Sequence, residues 1–304
     1  MENTLLCGFL TGKVTDTMEN NAFATRYSQK EIVAAQSARD PAICREIVHY
    51  QNNGVELSID VYRPNSKKYP GMRPGVLFFF GGGFKVGTPL AFREQAEVCA
   101  REGYVAFSAD YRISSLYDVN ARDSICDGAA AWLYVRENAE QWNLDINKVV
   151  LAGGSAGGTI AAMCGPLTGI QPAGLVLFNP GVRDNDDPQT LMCKLTDREI
   201  NGVPVLCIDS VQSDTPPILI QHGEEDKLIS VDTVRRFAKN AAVHGVDVDL
   251  IIYPNVGHGF FNFNRSRGHF LLTLGRMLLF LEKLFDAPQT KCTKNPTTVG
   301  KSEF

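Results

Sequence analysis

Five apolar residues follow one another without a break from Val76 to Phe80, and short runs of the same kind return at 105–110, 149–153, 174–178 and 217–222. Runs this short, rich in β-branched and aromatic residues and closed by turn-forming ones, predict strands buried on both faces. Between and after them the pattern widens to helical spacing at 92–102, 124–143, 156–164, 231–243 and 268–284, with one more strand at 247–253. Buried strands alternating with helices predict the α/β class, a mostly parallel central sheet with helices on both faces. Ahead of this alternation, 45–50 and 55–62 are strand-like and are joined by Asn52-Asn53-Gly54. That is a strong hairpin signal, and it adds antiparallel strands at one edge of the sheet.

The rest of the pattern is less regular. We expect a single domain over residues 1–304, opening with a helical lead over 1–44 and closing in a polar, frayed tail over 288–304. Between Pro180 and Pro216 neither period is present, and the segment begins with the polar run Arg183-Asp184-Asn185-Asp186-Asp187-Pro188. Residues 181–216 are expected to form either a lid or cap insertion or a solvated loop. The acidic run lacks the Gly and terminal Glu of a calcium loop, so no metal is expected there.

The candidate chemistry begins at Leu151-Ala152-Gly153-Gly154-Ser155-Ala156-Gly157-Gly158, where an apolar strand opens into small helix formers. A serine hydroxyl becomes a useful nucleophile when it is exposed on a sharp turn and given a base. Gly153 and Gly157, two residues to either side, allow that turn. A plain Gly-rich strand-to-helix turn shares the five-residue pattern, so the remaining parts decide. A phosphate loop would need Lys followed by Ser or Thr, and a dinucleotide fingerprint belongs near the first strand. Neither condition is met.

Such a serine needs a histidine base and a carboxylate to orient it. Of the five histidines, His258 lies in Asn255-Val256-Gly257-His258-Gly259-Phe260, just after the strand at 247–253. His49, His244 and His269 sit in or beside regular elements and are expected to be structural or exposed. His222 ends a strand, and a packing role is expected for it. The acid should lie between Ser155 and His258. Asp226, in His222-Gly223-Glu224-Glu225-Asp226-Lys227, is the first choice and Glu225 the second. An oxyanion hole completes the set. Gly81-Gly82-Gly83-Phe84 follows the strand 75–80, and the N–H groups of Gly82, Gly83 and Ala156 are its expected donors. Phe84 and Phe260 are candidates for shaping an acyl or aromatic pocket, while Phe261 suits the core equally well.

Taken together, Phe80-Gly81-Gly82-Gly83-Phe84, Asp110-Tyr111-Arg112, Asp127 before Trp132, Gly153-Gly154-Ser155-Ala156-Gly157-Gly158, His222-Gly223 with Asp226, and Gly257-His258-Gly259-Phe260 resemble the α/β-hydrolase fold. The branch they resemble is the one related to hormone-sensitive lipase, in particular the bacterial carbohydrate esterases that include acetyl-xylan and feruloyl esterases. The resemblance spans residues 80–260. It implies structural roles for Asp110, Arg112 and Asp127, which tie the loops under the site. It also implies a histidine before the three glycines that braces the oxyanion loop, where this chain has Phe80.

A net charge of −4 gives no support for nucleic-acid binding or for a basic membrane patch, and no run of about 20 apolar residues is present. The eight cysteines are scattered without CxxC spacing, and Cys99, Cys126 and Cys164 are expected as reduced core thiols. The opening Met1-Glu2-Asn3-Thr4-Leu5-Leu6-Cys7-Gly8 lacks the basic and apolar regions of a secretory signal, so a cytoplasmic location is expected. Nothing in the sequence speaks to oligomeric state. The expectation is a serine carboxylesterase that needs no cofactor and hydrolyses short-acyl esters of a small-molecule or oligosaccharide substrate. The alternatives are an arylformamidase-like amidase and a non-catalytic ligand-binding receptor on this fold.

Overall fold

The hairpin opens the part of the chain that the structure, a computed structural model, describes: residues 43–285. Strands β1 (Ile43–Asn52) and β2 (Val55–Pro64) pair antiparallel, and the register Asn52↔Val55 leaves a two-residue turn. Asn53 and Gly54 there both have positive φ, 49° and 76°, the requirement of a type I′ turn. Residues 43 and 44, expected to end the helical lead, already belong to β1. The remainder of that lead and the tail at 288–304 lie outside the described residues.

The chain continues through β3 (Arg73–Phe79), α1 (Arg93–Arg101), β4 (Val105–Ala109), α2 (Ala121–Glu137), β5 (Leu144–Gly154), α3 (Ala156–Thr168) and β6 (Gly174–Phe178). It then forms α4 (Leu191–Leu195), β7 (Glu199–Ile200), β8 (Val203–Pro204), β9 (Ile218–Gly223), α5 (Val231–Val243), β10 (Val248–Tyr253) and α6 (Arg267–Phe285). Eight strands make one sheet in the order β1-β2-β4-β3-β5-β6-β9-β10. Every pairing from β4 to β10 is parallel, and the two pairings of β2 are antiparallel. The edge hairpin and the parallel body are those the hydrophobic pattern predicts. Val76 to Phe80 are fully buried, as strands covered on both faces must be.

Parallel pairing has a direct functional consequence. The C-terminal ends of β3, β5, β6, β9 and β10 all open on one edge of the sheet. The chain reverses its direction of growth at β3, which has β4 on one side and β5 on the other. A crevice at such a reversal is where open α/β sheets hold ligands.

Three elements differ from the sequence expectation. The α2 helix starts at Ala121 because Asn120 caps it: its side chain accepts from Arg122 and Asp123 N–H, and Asp123 returns a bond to the Asn120 N–H. It ends at Glu137, and after a 3₁₀ turn the left-handed Asn143 (φ 54°) redirects the chain. Strand β5 consequently begins at Leu144, ahead of the expected 149.

The third difference is the stretch 181–216. It is neither a bare solvated loop nor free of regular structure, since α4 and the β7–β8 ladder lie within it. Val182, Met192, Ile200, Val205 and Leu206 are buried there. Arg183, only 4% exposed, ties the segment together. Its Nη1 donates to the Thr196 carbonyl and, at 2.9 Å, to Thr196 Oγ1, while its N–H donates to Leu206 O at 2.9 Å. The neighbouring acids Asp184 and Asp186 take Arg236 of α5 at 2.6 and 2.9 Å. Order built on buried polar contacts leaves no hydrophobic period to read.

The six described cysteines are free thiols, and burial pushes the pKa of Cys99 and Cys164 up. Among the described residues no helix is long and apolar enough to cross a membrane. Nor do three or more His, Cys, Asp or Glu side chains gather there as a metal site.

Candidate active site

Ser155 stands at the junction of β5 and α3 with φ 54° and ψ −120°. A non-glycine residue in so sparse a region costs on the order of 1–3 kcal/mol, and it persists only where its surroundings fix it. Here they do. The Ser155 N–H donates to Phe178 O at 2.9 Å, and its carbonyl accepts from Gly158, Thr159 and Gly181 at 2.9, 3.3 and 3.0 Å. The flanking glycines are required sterically. A Cβ on Gly157 would lie 2.1 Å from the Phe79 carbonyl oxygen, and one on Gly153 would lie 2.1 Å from that of Gly157.

The turn aims Ser155 Oγ at His258, 2.9 Å from Nε2. His258 Nδ1 lies 2.7 Å from Asp226 Oδ2. A carboxylate only accepts, so Nδ1 carries the proton and Nε2 is left to receive the serine hydroxyl proton. Asp226 follows the C-terminal end of β9 and His258 follows that of β10, so the parallel sheet brings together residues far apart in the chain. Of the two candidate acids, Asp226 reaches His258, while Glu225 is exposed to solvent.

The acid is held from several sides. Oδ1 accepts from the N–H groups of Leu228 and Ile229 at 2.9 and 3.0 Å, and Oδ2 also accepts from Asn179 Nδ2 at 3.0 Å. Burial alone would raise its pKa, but the hydrogen bonds from His258, Ile229 and Leu228 outweigh burial and hold the carboxyl below its ordinary range.

Asn179 escaped the sequence reading. It is fully buried, has φ 44°, and its Oδ1 accepts from Gly259 N at 3.3 Å, so it links the acid to the histidine loop. Its position just after β6, on the edge where the other site residues emerge, was the available signal.

The glycine loop after β3 passes directly over the serine: a Cβ on Gly81 would stand 3.2 Å from Ser155 Cβ. Gly82 has φ 126°, and a Cβ there would run into the Val86 carbonyl at 1.8 Å, so only glycine fits this turn. Among the described residues, no protein acceptor takes the N–H groups of Gly82, Gly83 or Ala156.

In place of the histidine implied by the resemblance, the loop is braced by Tyr111. Its hydroxyl donates to Phe80 O at 2.7 Å, and its ring stacks on Phe80 with centroids 4.0 Å apart. Beneath lies the pair Arg112–Asp127, with Nε at 2.7 Å from Oδ2 and Nη2 at 2.8 Å from Oδ1. Asn52 Nδ2 adds a bond to the same carboxylate at 2.7 Å. Asp110 accepts from the Tyr111 N–H at 2.9 Å.

Phe84 and Phe260, proposed from sequence as pocket walls, are buried. The Phe84 carbonyl is pinned by Ser114 N, and the Phe260 ring packs against Tyr253 and His269. Phe84 belongs to the hydrophobic core cluster. Phe261 stacks on Phe178 at 4.8 Å under the serine turn. The side chain the structure does bring to the oxyanion loop is Leu195 of α4, whose Cδ1 lies 4.0 Å from the position a Gly83 Cβ would take. Of the remaining histidines, His49 faces Glu56, His244 caps α5 and His269 bonds Ser266, all away from Ser155.

The chain is similar in sequence and in structure to known esterases. A BD-FAE family model matches residues 59–173, and a prolyl oligopeptidase family model matches residues 203–287. The chain is 29% identical over 262 residues to Esterase LipC of Mycobacterium tuberculosis, covering 73% of this chain and 64% of that protein. It is 28% identical over 222 residues to Carboxylesterase NlhH of the same species, covering 62% of this chain and 67% of that protein. The chain thus spans a little under two thirds of the length of LipC, and 26% of that of Lipase 2 from a Moraxella species. Among solved structures, the thermophilic esterase Est2 of the planctomycete Thermogutta terrifontis is 31% identical. It superposes with a TM-score of 0.72, covering 83% of this chain and 96% of that one.

Proposed function

The chain belongs to the α/β-hydrolase esterases of the hormone-sensitive-lipase-related branch, and from that membership we propose that it is a serine carboxylesterase acting on short-acyl esters. The observation that carries this reading is the unbroken series of hydrogen bonds from Ser155 Oγ through His258 to Asp226. In the reaction, His258 Nε2 takes the hydroxyl proton as Ser155 Oγ attacks the ester carbonyl. Asp226 stabilises the imidazolium that results. The N–H groups of Gly82, Gly83 and Ala156 receive the oxyanion. Donors of this kind are worth roughly 2.7–4 kcal/mol each to the transition state. The alcohol leaves with the proton from His258, and water then cleaves the acyl-enzyme by the same route. No step calls for a metal or cofactor.

The short-acyl preference is supported by α4, part of the proposed cap 181–216. Met192 is buried where a Gly181 Cβ would be 2.6 Å from its Sδ, and this holds α4 against the loop after β6. Leu191 and Leu195, 36% and 37% exposed, are left on its open side, with Leu195 above Gly83. A wall so near the oxyanion loop limits acyl length. Structures of the Thermogutta terrifontis esterase 2 with propionate and with butyrate bound support the same size class. The Phe80-Gly81-Gly82-Gly83 loop, similar to that of carbohydrate esterases, supports an acetylated sugar as substrate.

The same esterase has been solved phosphorylated by paraoxon, which suggests a direct test. Ser155 Oγ should attack the phosphorus of paraoxon and expel p-nitrophenolate, leaving a diethylphosphoryl adduct that peptide mass spectrometry finds on Ser155. An adduct on another residue, with Ser155 unmodified, would refute the assignment.

A further inference from the structure

A second imidazole lies beneath the acid. His222, near the C-terminal end of β9, is fully buried, and its Nε2 lies 3.0 Å from the carbonyl oxygen of Ile229. That same nitrogen stands 3.6 Å from Asp226 Oδ2, the oxygen that bonds His258. Ile229 is shared: its N–H donates to Asp226 Oδ1 at 3.0 Å while its carbonyl accepts from His222. One ring therefore grips the residue that grips the acid.

The other ring nitrogen fixes the protonation state. His222 Nδ1 is buried and has no hydrogen-bond partner among the described residues. A carbonyl only accepts, so the proton sits on Nε2 and Nδ1 keeps its lone pair. A second proton on Nδ1 would bury both a charge and an unpaired donor. The charged and titratable groups that act on the ring are Asp226, His258 and Arg235. Burial keeps His222 below the ordinary histidine range in spite of the attraction of Asp226.

We propose that His222 is a positioning residue for Asp226: an imidazole that, through its Nε2–H, clamps the 226–229 turn so that the carboxylate presents Oδ2 to His258. The role rests on the serine-esterase reading above. Neutrality matters because a second imidazolium at this distance would compete with His258 for the same oxygen. A neutral N–H orients the turn without drawing the acid's charge away. The residue touches no reacting atom and acts only through Asp226.

Two variants separate this role from simple packing. His222→Met fills similar volume without a donor, and His222→Gln can set an amide N–H where Nε2 stands. With p-nitrophenyl acetate, we expect His222→Met to lower kcat by at least about tenfold with KM within about twofold. The acid limb of kcat/KM should move to lower pH, because a loosened carboxylate stabilises the imidazolium less. His222→Gln should restore kcat to within about threefold of wild type.

A His222→Met enzyme with kcat within about twofold and an unmoved acid limb would overturn the proposal. So would a folded His222→Gln enzyme as impaired as the Met variant. If thermal melting shows that His222→Met does not fold, the Gln variant decides alone, and a kcat below about a tenth of wild type counts against the role. Ser155→Ala, measured alongside, distinguishes the two failures. Activity surviving in that variant overturns the esterase reading itself. Loss of activity there, with a normal Met variant, removes only the role of His222.

Discussion

The φ of 54° at Ser155 is tolerated because neighbouring backbone groups hold it and because Gly153 and Gly157, two residues to either side, have no Cβ. This makes Gly157 a sensitive position near the site. An added methyl would face the backbone oxygens of Phe79 and Phe80 at 2.1 and 2.3 Å, and backbone cannot swing aside as a side chain can. Gly157→Ala should therefore cost about 1–3 kcal/mol of stability, the usual scale of overpacking. It should also push the strand that carries the oxyanion loop away from Ser155. Urea unfolding and ester turnover would both show the loss, and wild-type values in both would contradict this account of the turn.

At this scale the sequence was highly legible where one residue type is compulsory. Ser155, His258 and Asp226 stood out because glycines flank the serine and histidine turns and because the order of the three is restrictive. Asn179 and His222 did not, since a buried amide or imidazole is recognisable only through what it touches. Phe84 and Phe260 are harder to read for a related reason: an aromatic ring next to a functional residue fills the core as readily as a pocket.

At the scale of elements, the segment 181–216 is proposed as the cap that decides what enters. It is anchored through Arg183, Met192 and the Asp184–Arg236 pair, and its short helix α4 places Leu195 at the oxyanion loop. Replacing Leu195 by Trp should shorten the acyl group the site accepts. The ratio of kcat/KM for p-nitrophenyl octanoate to that for the acetate should fall by about tenfold or more, since a few methylenes of pocket space are worth that much. Leu195→Ala should move the ratio the other way. Ratios unchanged in both variants would place the acyl wall elsewhere.

The cap was the least legible element. Its order comes from a buried guanidinium bonded to carbonyls and from acids paired with a distant helix, and neither leaves a period in the sequence. The hairpin was at the other extreme. Asn53-Gly54 dictates its turn, and the register follows from that alone.

For the whole molecule, the parallel sheet is what turns scattered residues into a site. With β3, β5, β6, β9 and β10 all ending on one edge, the glycine loop, Ser155, Asn179, Asp226 and His258 meet there. The alternation of buried strands with helices made that sheet legible. Its reversal of order at β3 was not, because strand order is set by packing of the whole.

The site also contributes to the pH dependence of folding. Burial holds the folded-state pKa of His222 below the ordinary histidine value of 6.5, and hydrogen bonding holds that of Asp226 below 3.8. In both cases the unfolded chain binds the proton more readily. The stability each contributes is therefore present above its unfolded value and is lost as pH falls through the folded one. The urea midpoint should drop between about pH 7 and about pH 5, and less so in His222→Gln, which has no imidazole to titrate there. An equal drop in the variant would show that other groups carry the effect.

The central claim is that Ser155 is the nucleophile of an ester hydrolase, and it is most directly tested by the turnover of p-nitrophenyl acetate by wild type and Ser155→Ala at matched concentration. The account predicts hydrolysis by the wild type and a fall in kcat on the order of 10⁵–10⁶-fold in the variant, with its thermal unfolding unchanged. A folded variant that keeps kcat within about tenfold of wild type would contradict it.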